Sequence, residues 1–321
     1  MTHTSLTDMS GCDFGIRVPD RIHPEAGRIG ERLLEWSSQV GLTVDARERA
    51  RLDAAGLHLL AARILPDALR ADVELFAQWI AWLTYLDDEQ DEGAMGRSTA
   101  TIEATFSPVL RILDDRPVLE GSGPAAQALA DLWPRTAVGM SAAWQRRIRH
   151  HIDRYRDAFL VQSAHHRHGT VPSPEDYPAL RRYDSGMFIY DLIEVAHGTE
   201  VPHHITDAHA WPELCAASSD IIAWCNDLAS LRRETAQGET TNYVTVLQRA
   251  TGCSQTAAIS QVADHIRARS AGLAAARSHL LAHVRDTSPG LLADISTVAD
   301  TISVMPGAHL AWLPESGRFS S

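Results

Sequence analysis

An all-α fold is what this chain predicts, and three observations carry it. Apolar residues recur at helical spacing, while alternating β-branched runs are rare. Alanine and leucine, both strong helix formers, are abundant. Breaks rich in Pro, Gly and polar residues divide the chain into stretches of helical length: "DDRPVLEGSGP" (114–124), "RHGTVPSPEDYP" (167–178), "HGTEVPHH" (197–204), "AQGETTN" (236–242) and "RDTSPG" (285–290). Together they predict about ten helices packed as one bundle.

Taken in order, residues 1–20 are expected to form a loose N-terminal arm, and 21–321 a single domain, because no repeat or long linker cuts the chain. "IHPEAGRIGERLLEWSSQVG" predicts a helix whose apolar side carries Ile29, Leu33, Leu34 and Trp36, with Gly41 as its stop. "ERARLDAAGLHLLAARIL" predicts one further helix, closed by Pro66. A third runs from Asp72 to about Glu92, with Val73, Phe76, Ile80 and Leu83 as its stripe. Far along, Leu214, Ala217, Ile221, Trp224, Leu228 and Leu231 form another core-packing seam.

Charge and composition exclude several function classes. The net charge is −12, which argues against a nucleic-acid partner and an anionic membrane surface. Cys12, Cys215, Cys225 and Cys253 show no CxxC spacing and read as buried small residues in a reducing cytosol. The N-terminus lacks the pattern of a signal peptide, and no uncharged apolar run reaches transmembrane length. The expectation is a cytoplasmic protein with no membrane insertion.

Two oxygen-rich clusters interrupt this plain picture. "DDEQDE" (87–92) places five carboxylates in six positions at the end of an apolar helix. Such crowding is repulsive unless a cation sits there. Asp87 and Asp91 share one helical face, with Asp88 and Glu92 alongside, and the apolar stripe runs on into Asp87. In "IIAWCNDLASLRRET", Asn226, Ser230 and Glu234 are spaced by four, forming one stripe of oxygen donors beside the apolar seam. Oxygen ligands without thiolate or imidazole suit Mg²⁺, which takes one or two carboxylates and completes its shell with water and phosphate oxygens. Two such helix faces opposed across a bundle could hold several Mg²⁺ ions bridged by a diphosphate. The bland alternatives are a solvated helix end for the first cluster and surface polarity for the second. Their joint occurrence on apolar helices favours the metal reading.

With these motifs in view, the chain resembles the bacterial class I terpene synthases (terpene cyclases), most closely the sesquiterpene synthases. "DDEQDE" is similar to their aspartate-rich motif, DDxxD or DDxxxE. "NDLASLRRE" matches their NDxxSxxxE motif at Asn226, Asp227, Ser230 and Glu234. "AWLPESGRF" is similar to their terminal W…RY element, and the segment from "LAARILPDALR" to "DDEQDEG" resembles the approach to the first motif. The resemblance implies a single helical domain around a deep apolar cavity, the class I terpenoid synthase fold. It also implies Mg²⁺, three ions with diphosphate bound, held by Asp87 with Asp91 or Glu92 and by Asn226, Ser230 and Glu234. Asp88 is an alternative or outer ligand. In "LRRYDSG" the resemblance assigns Arg181 as diphosphate sensor, Asp184 as linker and Ser185 as effector, with Arg182 and Gly186 as rivals for the first and last roles. Arg233 and Arg318 would bind the diphosphate. One departure is Phe319, where the family has a tyrosine whose hydroxyl contacts the diphosphate.

The implied activity is Mg²⁺-dependent ionisation and cyclisation of a linear prenyl diphosphate, farnesyl diphosphate first. A carbocation then needs an apolar, aromatic enclosure, since ring faces attract cations by roughly 0.5–2 kcal/mol. Phe76, Trp79, Tyr85, Phe188 and Trp312 are the candidates for that wall, while Trp82 and Trp224 read as core. The alternatives are a diterpene cyclase acting on geranylgeranyl diphosphate, a chain-elongating prenyl transferase, or a non-enzymatic helical scaffold. The prenyl transferases carry a second aspartate-rich motif, which the Asn-Ser-Glu set replaces. Relatives also form homodimers. The histidines of "SAHHRHG", the basic run 146–156 and the pair Asp114-Asp115 are read as surface features.

Overall fold

Helix α1 (Ala26–Gln39) buries Ile29, Leu33 and Trp36 along the predicted stripe. The structure is a computed structural model and describes residues 14–91, 93, 95–237 and 241–319, among which there is no strand. Of the segment 1–20 expected as an arm, residues 1–13 lie outside the described residues, and 14–20 carry no helix and are held down. Phe14 is buried in the core, and a Cβ added at Gly307 would meet the Arg17 carbonyl at 2.0 Å.

The segment predicted as one helix ending at Pro66 is two, α2 (Ala46–Ala55) and α3 (Leu57–Ile64). Gly56 sits between them at φ +61°, a left-handed conformation that suits glycine. At the break the Ala55 carbonyl meets an outside donor, and that of Gly56 does so while also accepting the Leu59 N–H at 3.0 Å. Trp312 Nε1 donates to these two carbonyls at 2.9 and 3.1 Å. The end of the chain is thereby anchored to this corner.

Helix α4 (Arg70–Asp91) is the central strut. Val73, Phe76, Ala77, Trp79, Ile80 and Trp82 are all buried, so most of its circumference faces protein. Trp79 Nε1 donates to Thr136 Oγ1 and Trp82 Nε1 to the Ala125 carbonyl, both at 2.8 Å. These bonds fasten α4 to α6 (Pro124–Ala137), which follows α5 (Thr99–Leu113). Asp114 pairs with Arg149 in the turn after α5, and Asp115 lies beside it at φ +55°, well away from the acidic helix end.

The long α7 (Ala142–His168) ends in the histidine run, capped by Gly169. Then come α8 (Tyr177–Asp184), α9 (Phe188–Ala196) and the short α10 (His203–Thr206). Helix α11 (Ala210–Gln237) packs along α13 (Gln255–Val284) and α14 (Pro289–Trp312), with α12 (Tyr243–Thr251) between. Leu214, Ala217, Ile221, Trp224 and Leu231 of its predicted seam are buried. No helix among the described residues is long and apolar enough to cross a membrane. Cys215 and Cys225 are buried free thiols, Cys253 is a partly buried one, and Cys12 lies outside the described residues.

Candidate active site

The end of α4 and the middle of α11 are brought to one place. Between α3, α4, α8, α9, α11 and α14 lies a cavity that is partly open to solvent. Its walls are largely apolar, including Leu57, Leu60, Phe76, Ile80, Met305 and Trp312. Next to it is a polar mouth that includes Asp91, Arg233, Glu234 and Phe319. Asp87, Arg181, Asp184, Asn226 and Arg318 line both spaces. The seam between oil and charge therefore consists of residues from both sequence clusters, the "LRRYDSG" segment and the chain's end.

Asp87 shows what kind of charge this mouth is built to take. Its side chain borders the mouth and the cavity and is 39% accessible. Burial raises its carboxyl above the usual range, against the pull of Arg318. Arg318 bridges the cluster, donating to Asp87 at 3.0 Å and to Asp88 at 2.7 Å. Arg51 takes the other Asp88 oxygen at 2.8 Å. A guanidinium thus stands where the acidic helix end calls for a cation. Asp91 lines the mouth; Glu92 lies outside the described residues, so the choice between them is not decided by placement.

On α11, Asn226 and Glu234 face the mouth. Ser230 Oγ donates to the Asn226 carbonyl at 2.7 Å, which leaves the oxygen's lone pairs for another partner. Glu234 accepts from Asn242 Nδ2 at 2.8 Å, and burial lifts its carboxyl to about 7, with Asp227 adding to the effect. Arg233 is 4.0 Å from the same carboxylate. Asp227, next to Asn226 in sequence, is fully buried. It accepts from Tyr177 Oη at 2.5 Å, Arg181 Nε at 3.1 Å and the Tyr243 backbone N–H at 3.2 Å.

Arg181 is placed by these contacts. It holds Asp227, donates to Asp184 at 2.9 Å and reaches Asn226 at 3.5 Å. Burial raises Asp184 to about 6 despite that arginine. The neighbouring Arg182 turns away to Asp220, at 2.6 and 2.9 Å, so of the two arginines Arg181 is the one at the mouth. Ser185 and Gly186 both line the cavity where α8 ends. Gly186 adopts φ +78°, and a Cβ there would lie 2.8 Å from Leu83 Cδ1. Glycine is what lets this break press against α4.

Of the five aromatics proposed for the cavity wall, Phe76 and Trp312 line it. Trp79, Tyr85 and Phe188 do not, for physical reasons. Trp79 is turned to Thr136, and Phe188 packs against Trp79 and Trp82 with ring centroids at 5.8 and 5.6 Å. Tyr85 lies on the far side of α4, in a cleft with Glu48 and Arg51. Phe319 lies at the mouth, its ring edge-on to Trp312 at 5.7 Å.

Sequence reasoning missed Tyr190, Met305 and His309 in the wall, and Gln162 and Thr241 at the mouth. None sits in a motif. The supporting roles of Tyr177 and Asn242 were missed as well. Asn242 was legible as a helix N-cap, since its side chain accepts from the Val244 N–H at 3.0 Å. That its amide also reaches Glu234 and the Asp227 carbonyl was not.

The residues fit Mg²⁺ by chemistry: the donors are carboxylate, amide and hydroxyl oxygens, and a positive side chain already bridges two of the carboxylates. Among the described residues no three His, Cys, Asp or Glu side chains converge as a ready-made cage.

Comparison with known proteins gives this geometry a family. The model described as "Terpene synthase family 2, C-terminal metal binding" matches residues 78–271, which span both oxygen-rich clusters. The chain is 33% identical over 245 residues to a (+)-T-muurolol synthase, (2E,6E)-farnesyl diphosphate cyclizing, of Roseiflexus castenholzii, covering 76% of this chain and 74% of that protein. It is also 33% identical over 260 residues to a pentalenene synthase of Streptomyces exfoliatus, covering 80% and 76%. The crystal structure of a linalool/nerolidol synthase from Streptomyces clavuligerus superposes with a TM-score of 0.84 at 25% identity, over 93% of this chain and 99% of that one. The chain belongs to the terpene synthase family.

Proposed function

We propose that this protein ionises a linear prenyl diphosphate and cyclises the resulting carbocation to a terpene, releasing diphosphate, in a Mg²⁺-dependent reaction. One observation carries the reading: Asp87, Arg181, Asp184, Asn226 and Arg318 border both the polar mouth and the apolar cavity. A substrate with a diphosphate head and a hydrocarbon tail has its scissile bond at such a border. Farnesyl diphosphate is the proposed substrate, supported by the names of relatives such as the (+)-T-muurolol synthase. Geranylgeranyl diphosphate is second.

In this reading Asp87 with Asp91 or Glu92 would hold Mg²⁺ from α4, with Asp88 behind them, and Asn226, Ser230 and Glu234 would hold it from α11. Three ions would be complete with diphosphate bound. Mg²⁺ held by these residues would supply Lewis-acid stabilisation to the leaving diphosphate. Arg181, Arg233 and Arg318 donate to its oxygens, and charge-assisted bonds strengthen as negative charge develops. Asp184 orients Arg181, and Ser185 presents backbone to the ionising carbon. The cavity wall excludes water from the cation. We place the reaction in the cytoplasm; a homodimer would be read by the solution mass.

The test is diphosphate release from geranyl, farnesyl and geranylgeranyl diphosphate, with Mg²⁺ and with a chelator, and mass spectrometry of the hydrocarbons formed. Release with farnesyl diphosphate, lost on chelation, is expected. No release from any of the three would overturn the proposal, and a longer linear diphosphate as product would favour the prenyl transferase reading.

A further inference from the structure

The cavity wall contains one group that the function proposed above does not use. His309 lies on α14, on one face with Met305 and Trp312, and all three line the cavity. It is only 5% exposed, and its Nδ1 has no hydrogen-bond partner. Its ring packs 5.5 Å from that of Trp312. Leaving a buried polar atom unpaired costs about 1–3 kcal/mol, so its persistence calls for an explanation. Burial, with Arg181's charge adding to it, depresses the imidazole to about 3. The ring is therefore neutral at physiological pH and keeps a bare nitrogen lone pair.

The cavity's two carboxylates, both raised by burial, border the mouth, whereas His309 lines the cavity alone. Asp87 and Asp184 are engaged by Arg318 and Arg181 at the mouth. Thr84, Ser185, Ser219 and Tyr190 offer only hydroxyls. We propose, building on the function above, that His309 is the base that ends the reaction by taking a proton from the cyclised carbocation. A C–H bond next to the cationic carbon breaks and its electron pair closes the C=C bond. The proton bonds to the imidazole nitrogen. The resulting imidazolium sits near Arg181, a repulsive arrangement, and passes its proton to the released diphosphate or to water as the site opens. A base held near pKa 3 suffices, because such a carbocation is a far stronger acid. Its low basicity also keeps it from carrying a second positive charge beforehand.

The test compares wild type, His309→Phe and His309→Asn with farnesyl diphosphate and Mg²⁺, following diphosphate release, product distribution and circular dichroism. Substrate deuterated at the carbon that loses its hydrogen in the main wild-type alkene is run in parallel. Because ionisation precedes the step assigned here, diphosphate release should fall by less than the main alkene in both variants. The main alkene should fall by about tenfold or more in both, the lower end of what a positioned base contributes. Deuteration should divert wild-type product towards other alkenes, and this diversion should vanish in the variants. The proposal is overturned if His309→Phe keeps the wild-type main product, since shape alone would then suffice and the diphosphate would be the proton acceptor. It is equally overturned if folded variants fail to release diphosphate, or if wild type makes only alcohols. A wild-type protein that releases no diphosphate at all would instead remove the parent reading, and this proposal with it.

Discussion

Two sets of buried charges in this molecule look alike by residue type and differ in how they are closed. Between α7 and α9, Arg147 donates to Asp191 at 2.7 Å and also to Glu194, while His151 Nδ1 pairs with Asp191 at 2.6 Å. The second Glu194 oxygen accepts from the Val201 backbone N–H at 2.8 Å. All four carboxylate oxygens have donors, and Asp191 and Glu194 are 2% and 0% accessible. The set is finished as it stands. The mouth, by contrast, is lined by four carboxylates and three guanidiniums. Burial holds three of those carboxylates, Asp87, Asp184 and Glu234, above their ordinary range. A buried network that satisfies itself fixes helices; one that keeps a surplus of negative charge beside an apolar cavity is prepared for a cation from outside.

The largest effect should come from the unfinished set. Asn226→Ala or Glu234→Ala should cut diphosphate release by about a thousandfold or more, the equivalent of several kcal/mol of charge stabilisation. Chemical denaturation should move by no more than about 1 kcal/mol in the same variants, since Glu234 is held at a desolvation cost. Near-normal turnover in either would mean that α11 does not hold the metal. The finished set should respond the other way. Asp191→Ala removes the carboxylate that His151 holds and one of the two that Arg147 holds, and should cost about 3–5 kcal/mol of stability. Turnover per folded molecule should be unchanged; a loss of activity without a loss of stability would erase the distinction.

The contrast also marks what could be read before folding. The two oxygen-rich clusters were legible because helical spacing puts Asp87 with Asp91, and Asn226 with Ser230 and Glu234, whatever the tertiary fold. Their buried neighbours followed from the same periodicity, as in the seam from Leu214 to Leu231. Whatever depended on packing between helices was not legible. Period alone could not say that Trp79 would spend its N–H on Thr136 while Phe76 turned to the cavity. Arg181 and Arg182 are equivalent on paper, and only Asp220 and Asp227, on a helix some forty residues away, separate them. The break at Gly56 was hidden for another reason: both flanks are good helix sequence, and one left-handed residue suffices to divide them.

A milder perturbation probes the join between mouth and cavity. Gly186→Ala introduces a side chain at φ +78° and 2.8 Å from Leu83 Cδ1. The left-handed backbone alone should cost about 1–2 kcal/mol. The shift of Leu83 should reshape the cavity roof, so the product distribution should change while diphosphate release falls by less than in Asn226→Ala. An unaltered melting temperature together with an unaltered product profile would show that the α8–α9 break tolerates a side chain and does not set the cavity's shape.

The smallest effect needs only a change of pH, and it separates the two members of the finished set. Burial works to raise Asp191, but His151 and Arg147 hold its carboxyl below the ordinary range, so its contribution to stability is present above the unfolded value of 3.8 and fades as the pH falls through its folded value. Glu194 behaves oppositely. Burial lifts it to about 8, against the pull of Arg147. From about pH 4.5, where the unfolded glutamate ionises, up to about pH 8, the folded state binds the extra proton. Stability contributed by Glu194 must therefore decline as the pH rises through that window. Other groups titrate over the same range, so the useful quantity is the melting temperature of wild type minus that of Glu194→Gln, which keeps a hydrogen-bonding side chain without the ionisation. That difference should shrink by a few degrees between pH 5 and pH 8.5. A difference that grows with pH would mean that Glu194 is ionised in the fold, held by Arg147 as Asp191 is, and that both carboxylates of the finished set are of one kind.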